Sequence, residues 1–288
     1  ADNSLTFKGT DVKDYVNKLA GSESSNNYQA EYEDSQGRRF VGLLQFGQDR
    51  IDDYNKEQEE IEKELTSLGA IFETYNYDEI IDKTSDFLIN EKAVGWFQGR
   101  MEFGPRALGC RSILGDPRSD NMQKNLNLKV KYRESFRPFA PSILREDLSE
   151  WFDINTDSPY MLYVAEVSKE KKVKMTSEQN NLFGIEKLNI KRSEIPAVTH
   201  VDYSARIQTV NKNTNKRYYD LISKFKEKTG CPLLVNTSFN VRGEPIVCSI
   251  EDSFKCFMGT NLDILVCENF ILFKEKQDDK LKKNYQSN

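Results

Sequence analysis

Apolar residues recur at helical spacing in several stretches of the chain. Between Lys216 and Lys228, Tyr218, Leu221, Ile222 and Phe225 share one face and Gly230 supplies a stop, which predicts an amphipathic helix. Between Asp52 and Leu68 the stripe is narrower: Tyr54, Ile61, Leu65 and Leu68 stand among many acids, a charged helix ended by Gly69 with a solvated outer face. A helix carrying Met122, Leu126 and Val130 can start at Ser119 or Asp120, and one bearing Phe254 and Phe257 at the capping-box pair Ser249 and Asp252. Short apolar runs predict strands over Arg39–Phe46, Val94–Phe97, Met161–Val167, Ala205–Val210 and Pro232–Val235. Leu262–Val266 and Phe270–Phe273 form a hairpin around Glu268 and Asn269. The front of the chain suggests a short strand or arm, a helix through Val12, Tyr15, Val16 and Leu19, and a polar loop at Gly21–Asn27. The tail after Lys274 is polar and expected to fray. From Glu91 onward strands and helices alternate, which is the texture of an α/β fold.

Composition narrows the class. With 288 residues, 38% hydrophobic and 30% charged, the chain can bury one large core or two smaller ones. No apolar run approaches the roughly 18 residues that span a bilayer, so no membrane partner is expected. Ala1-Asp2-Asn3-Ser4 shows no secretory pattern, and the start without methionine suggests a piece of something longer. The five cysteines, Cys110, Cys231, Cys248, Cys256 and Cys267, form no C-x-x-C pair and read as reduced core thiols of a cytoplasmic protein, without a structural zinc. The single histidine, His200, leaves no material for a histidine-rich metal site and makes a Ser-His-Asp triad improbable.

Charge is where the sequence becomes specific. The net charge is −5, and residues 22–92 hold 18 acids against 7 bases. Residues 98–137 reverse this, with 9 bases against 4 acids. Arginines interleaved with Gly, Pro and aromatics suit a rigid, partly buried pocket for a polyanion, because guanidinium forks grip phosphate and carboxylate bidentately. The overall acidity makes nucleic acid an improbable partner. Neither a P-loop nor a G-x-G-x-x-G cradle is present. What remains beside the arginines is Asn236-Thr237-Ser238-Phe239-Asn240, followed by a turn with Gly243 and Pro245. From the residues alone it reads equally well as a phosphate-holding turn or as a turn stabilised by its own side chains.

Four blocks occur in order: F-G-P-R-A-L-G-x-R-S-I-L from Phe103, K-x-R-E-x-F-R-P-F-A-P from Lys131, S-A-R-x-Q-T-V from Ser204, and N-T-S-F-N-x-x-G-E-P-I-V from Asn236. Together, from about Val94 to Phe273, they resemble the C-terminal region of the O-carbamoyltransferases typified by the tobramycin, cephalosporin and nodulation-factor enzymes. The resemblance implies an α/β, YrdC-like twisted mixed sheet with flanking helices over residues 91–288. Residues 1–90 are then a smaller α+β connecting segment, next to a missing actin-like domain.

The resemblance also implies an activity: carbamoyladenylate made from carbamoyl phosphate and ATP, by way of carbamate, for transfer to a substrate hydroxyl by the actin-like domain. Mg2+ is expected with the ATP, and no metal site within this chain. Carried over by motif, Arg106, Lys131, Arg137 and Arg206 bind carbamoyl phosphate and the ATP phosphates, with Arg106, Lys131 and Arg137 catalytic. Ser238 and Asn240 match the S-x-N element that holds nucleotide phosphates. Arg100, Arg111 and Arg133 could line the same pocket or pair with Glu102 and Glu134. His200 reads as structural or as bordering the site. Trp96, Phe97, Phe136 and Phe139 read as core, with one of them able to stack on adenine. Cys110 departs from the asparagine common in the family. The front of the chain lacks the histidine pair, the G-G-x-A-L-N stretch and the G-D-A-G loop of the actin-like domain, so transfer is expected to need a partner domain. The alternatives are a binding module for ATP or carbamoyl phosphate without turnover, and a YrdC-like RNA-related protein.

Overall fold

The computed structural model describes residues 48–183, 186 and 190–282, together with strand segments at 6–7, 10–11, 31–33 and 39–41. The helix and loop predicted over residues 12–27 lie outside the described residues. The chain divides into two compact units, 1–63 and 64–288. In the first, β1 (Thr6–Phe7) pairs antiparallel with β2 (Thr10–Asp11), and β3 (Glu31–Glu33) with β4 (Arg39–Val41). Arg39–Val41 is the described part of the strand predicted through Phe46. Helix α1 (Gln48–Ser67) crosses the boundary in sequence, and Gly69, at φ 73°, ends it as expected.

The second unit is built on one mixed sheet. Its strands are β5 (Glu73–Thr74), β6 (Val94–Phe97), β7 (Arg111–Gly115), β8 (Ala140–Leu144), β9 (Tyr163–Glu166), β10 (Ser204–Val210), β11 (Leu233–Ser238), β12 (Ile264–Cys267) and β13 (Phe270–Phe273). They lie in the order β5-β13-β12-β6-β7-β11-β8-β10-β9. β6 runs parallel to β12 and β8 parallel to β10, while the other neighbours are antiparallel. This is the α/β mixed sheet that the sequence predicts. The central strands β6, β7 and β8 are buried along their whole length, which explains the continuous apolar run of β6 in place of alternation. β9 forms one edge, with Tyr163 and Val164 exposed.

Helices α2 (Tyr77–Ile89), α3 (Met122–Lys129), α4 (Leu148–Trp151), α5 (Ser177–Asn180), α6 (Lys216–Thr229) and α7 (Ile250–Gly259) complete the unit. α2 packs beside α6 and against β6 and β12, α6 also covers β8 and β11, and α7 packs on β6 and β12. The predicted face of α6 is the one buried: Tyr218, Leu221, Ile222 and Phe225 are all fully covered, and Gly230 closes the helix at φ 75°. α7 has the predicted capping box of Ser249 with Asp252. At α3, Ser119 accepts from the amides of Asn121 and Met122 at 3.2 Å each, although the cap position itself is Asn121. The tail differs from expectation. Gln277 is buried and trades hydrogen bonds with both the N–H and the C=O of Ile71, so the chain after Lys274 is pinned through two short 3-10 turns to Lys282. No helix among the described residues is long and apolar enough to cross a membrane.

Tyr218 of α6 supports the loop between β6 and β7. Gly109 sits there at φ 110°, and a Cβ on it would fall 2.3 Å from the tyrosine ring. Gly243 has a comparable φ of 86° but nothing within 4 Å of its would-be Cβ. Gly243→Ala should therefore carry only the left-handed penalty of about 1–2 kcal/mol. Gly109→Ala adds an overpacking cost of about 1–3 kcal/mol. Calorimetric melting should show Gly109→Ala losing several degrees more of Tm than Gly243→Ala, and equal losses would remove the ring contact as the reason for this glycine.

Candidate functional site

The site begins with polar side chains on three neighbouring strands in an otherwise apolar interior. Ser142 on β8 lies in register with Gln208 on β10, and Asn236 on β11 lies across β8 from them. All three are buried. The Asn236 amide nitrogen is 2.8 Å from Gln208 Oε1 and 3.0 Å from Ser142 Oγ, and Ser142 Oγ donates to Gln208 Oε1 at 2.5 Å. Burying polar groups is costly unless they are bonded, and here donors of the cluster also reach out of the sheet. Asn236 Nδ2 donates to the Ala107 carbonyl at 3.1 Å, Gln208 Nε2 to that of Leu108 at 2.7 Å, and Trp96 Nε1 to that of Gly109 at 3.0 Å. Three consecutive carbonyls of the β6–β7 loop are thus held by three side chains of the sheet, directly after Arg106.

Arg106, Arg133 and Arg206 meet at a cleft of about 170 Å³ whose wall is Asn236, Thr237 and Ser238 of β11. Met161 and Phe139 add apolar lining, and no carboxylate does. Arg206 lies half-buried in β10; burial lowers its pKa, and the neighbouring positive charge of Arg106 lowers it further. Burial likewise lowers that of Arg133, with Arg137 acting in the same direction. Arg133 is oriented from behind: Nε donates to Asn127 Oδ1 at 2.6 Å, and the guanidinium lies 5.0 Å from the Phe139 ring centroid. Crowded guanidiniums without counter-charges on the lining attract a polyanion, and arginine does not relieve the repulsion by losing its proton.

Lys131 takes a different position. It is buried, and its ammonium donates to Ser238 O, to Ser238 Oγ at 3.3 Å, to Asn240 O at 2.9 Å and to Asn240 Oδ1 at 2.7 Å. Ser238 Oγ donates to Asn240 Oδ1 at 2.7 Å, and Asn240 Nδ2 to the Glu244 carbonyl at 2.8 Å. The S-x-N turn is therefore folded around the lysine, and only Ser238 of the pair lines the cleft. Burial pulls the Lys131 pKa down to about 7, with Arg133 acting in the same direction. The left-handed Tyr132, at φ 45°, separates this inward lysine from the cleft-facing Arg133.

Other sequence candidates fall elsewhere. Arg137 is half-exposed, ion-paired with Glu134 at 2.9 Å, and is not part of the cleft lining. Arg111 is buried in the backbone, donating to the carbonyls of Gln98, Gly99 and Cys110, with its guanidinium 3.4 Å from the Phe97 ring centroid. Arg100 is exposed and also outside the lining. Trp96, Phe97 and Phe139 are core, whereas Phe136 is 46% exposed. Phe136 lines a groove of about 460 Å³ with Gln123, Arg192 and His200, and this groove shares Pro138 with the cleft. His200 does border that groove; burial lowers its pKa, Asp202 opposing. Burial pushes the Cys110 thiol up to about 12, so it is no nucleophile at neutral pH. A larger cavity, about 660 Å³ between α2 and α6, carries Asp78, Glu79, Asp82, Asp220 and Glu227 against Lys83 and Lys224, and so has the wrong sign for an anion. Sequence reasoning missed Asn236 as a separate functional position. Its signal was the period of two, which puts Asn236 and Ser238 on one strand face.

A family profile described as the carbamoyltransferase C-terminus matches residues 85–274. An uncharacterised protein of Synechocystis is 58% identical over 221 residues, 76% of this chain and 36% of that one. Nodulation protein NolO of Bradyrhizobium diazoefficiens is 42% identical over 216 residues, 74% of this chain and 36% of that one. The 3'-hydroxymethylcephem-O-carbamoyltransferase of Amycolatopsis lactamdurans is 37% identical over 171 residues, 59% of this chain and 28% of that one. The chain thus spans roughly a third of the length of the curated relatives it matches. It belongs to the carbamoyltransferase family, of which it holds the C-terminal region.

Proposed function

We propose that this chain performs the activation half of an O-carbamoyl transfer, making carbamoyladenylate from carbamoyl phosphate and ATP. The observation that carries the proposal is the convergence of Arg106, Arg133 and Arg206 on one cleft walled by Asn236, Thr237 and Ser238. Its volume of about 170 Å³ suits a small dianion such as carbamoyl phosphate. It falls below the roughly 300 Å³ at which small-molecule pockets begin, so the nucleotide would extend beyond it, with the groove past Pro138 adjoining.

In the proposed sequence water cleaves carbamoyl phosphate to carbamate and inorganic phosphate. A carbamate oxygen then attacks the α-phosphorus of ATP, the bond to the β-phosphate oxygen breaks, and pyrophosphate leaves. Two unit charges 4 Å apart cost about 4 kcal/mol at the effective permittivity near a protein surface. Fixed guanidiniums offset that repulsion and stabilise the charge building on pyrophosphate. The work is positioning and electrostatics, and no side-chain nucleophile is required. Among the described residues no group of three or more His, Cys, Asp or Glu is arranged to hold a metal ion, and the cleft lining offers only neutral oxygens. That donor set does not fit a protein-held Mg2+, so the ion would enter as part of the ATP substrate. Transfer to a hydroxyl would fall to a separate actin-like domain or partner chain.

Pyrophosphate release dependent on both substrates is the direct test. Arg106→Ala and Arg206→Ala should each lower it by about 10²-fold, the usual scale for losing one preorganised charge-stabilising donor, with circular dichroism unchanged. Arg137→Ala, removing an exposed ion pair, should cost less than about tenfold. Wild-type release from the Arg206 variant would end the proposal.

Lys131 adds a pH dependence. An anion binds better when the lysine behind Ser238 is protonated, so affinity for inorganic pyrophosphate should fall as pH rises through about 7. Lys131→Met should flatten that profile and lower Tm, because the oxygens of Ser238 and Asn240 lose their donor. A profile unchanged in the variant would place the titrating group elsewhere.

A further inference from the structure

The loop from Gln98 to Cys110, which delivers Arg106 to the cleft, has no regular structure and turns through three left-handed glycines, Gly99, Gly104 and Gly109. The sheet holds its C-terminal side, at Ala107, Leu108 and Gly109. Arg106 lies just before that pinned stretch and is exposed. Within the loop one side chain closes the chain on itself. Glu102 Oε1 accepts from the Leu108 amide at 2.7 Å and from the Cys110 amide at 2.6 Å. Residues 103–107 thereby become a short ring with Arg106 inside it. The other carboxylate oxygen, Oε2, is buried and has no hydrogen-bond partner among the described residues.

We propose that Glu102 is the positioning residue for Arg106: its carboxylate clasps the loop so that the guanidinium is already ordered at the cleft when the anion arrives. The inference rests on the cleft being an anion site. A carboxylate in the loop that presents a cation opposes an incoming phosphate, although this one also raises the pKa of the buried Arg111 against the effect of burial. Its geometry accounts for it. Two hydrogen bonds accepted by one oxygen fix both ends of the ring, and ordering the loop in advance spares the entropy that binding would otherwise have to supply. The clasp needs the reach of a glutamate and an oxygen acceptor, not a negative charge. Gln retains both, removing the charge and placing an amide nitrogen where the unbonded oxygen stood. Asp keeps the charge and is one methylene too short.

The test is calorimetric titration of this chain with inorganic pyrophosphate, alongside Tm for each variant. Glu102→Gln should bind within about twofold of wild type, and Glu102→Asp and Glu102→Ala about tenfold more weakly, the loss expected when a cation must be ordered on binding. Adding Glu102→Ala to Arg106→Ala should cost nothing further, because the clasp acts through that arginine. A merely structural glutamate would give additive losses, and that result overturns the proposal. So does wild-type affinity in Glu102→Asp, or a loss in Glu102→Gln equal to that in Glu102→Ala. If Arg106→Ala itself binds pyrophosphate normally, the anion site fails and the clasp with it. Loss in Arg106→Ala with none in Glu102→Ala rejects the clasp alone. Should Glu102→Ala not fold, the Gln and Asp pair still decides.

Discussion

The site depends on a small polar cluster inside an apolar sheet. Ser142, Gln208 and Asn236 bond to one another across three strands, with only Asn236 Oδ1 left without a partner among the described residues, and Gln208 and Asn236 also donate to carbonyls of the loop that follows Arg106. In a low-permittivity interior such a network is costly when incomplete and rigid when complete. It joins the sheet to the loop without using the arginines, which stay free to face a ligand. The same three strands carry Arg206, Ser238 and the chain leading from Phe139 into β8, so the cleft lies where the sheet is most constrained.

A chain with a net charge of −5 still concentrates positive potential in one place, because its acids and bases are segregated. Many carboxylates elsewhere are matched, as Asp147 is by Lys226 and Glu268 by Arg217. Arg133 in the cleft is instead held by neutral partners, an amide and an aromatic face beside it. Its full charge is then available to a ligand. Lys131 illustrates a second use of a cation, in which a buried ammonium organises four oxygens into a turn. Membership of the carbamoyltransferase family gives this concentration of charge a chemical context.

Much of the fold was legible where local rules decide it. The stripe of Tyr218, Leu221, Ile222 and Phe225, the Gly230 stop and the Ser249–Asp252 box each depend on residues within one turn of one another, and each was found in place. α2 is absent from the sequence reading, although Asn76 and Glu79 make a full capping box before Ile80 and Ile81. β7 and β8 were hidden inside the arginine-bearing blocks, where the chemistry of the motifs masked their strand character. In the site, sequence named Arg106, Arg206 and Ser238, which do converge. Whether a basic residue faces a cleft, as Arg133 does, a turn, as Lys131 does, or solvent, as Arg137 does, is set by backbone reversals such as Tyr132 and by long-range packing. No period in the sequence encodes that choice.

Trp96 has a practical side. It is one of only two tryptophans, is fully buried, and its indole N–H is bonded to the carbonyl of Gly109 in the arginine-bearing loop. Indole emission is sensitive to the polarity and hydrogen bonding around the ring. The protein therefore carries an intrinsic optical probe bonded to the loop that holds Arg106, and no label has to be introduced to report on that loop.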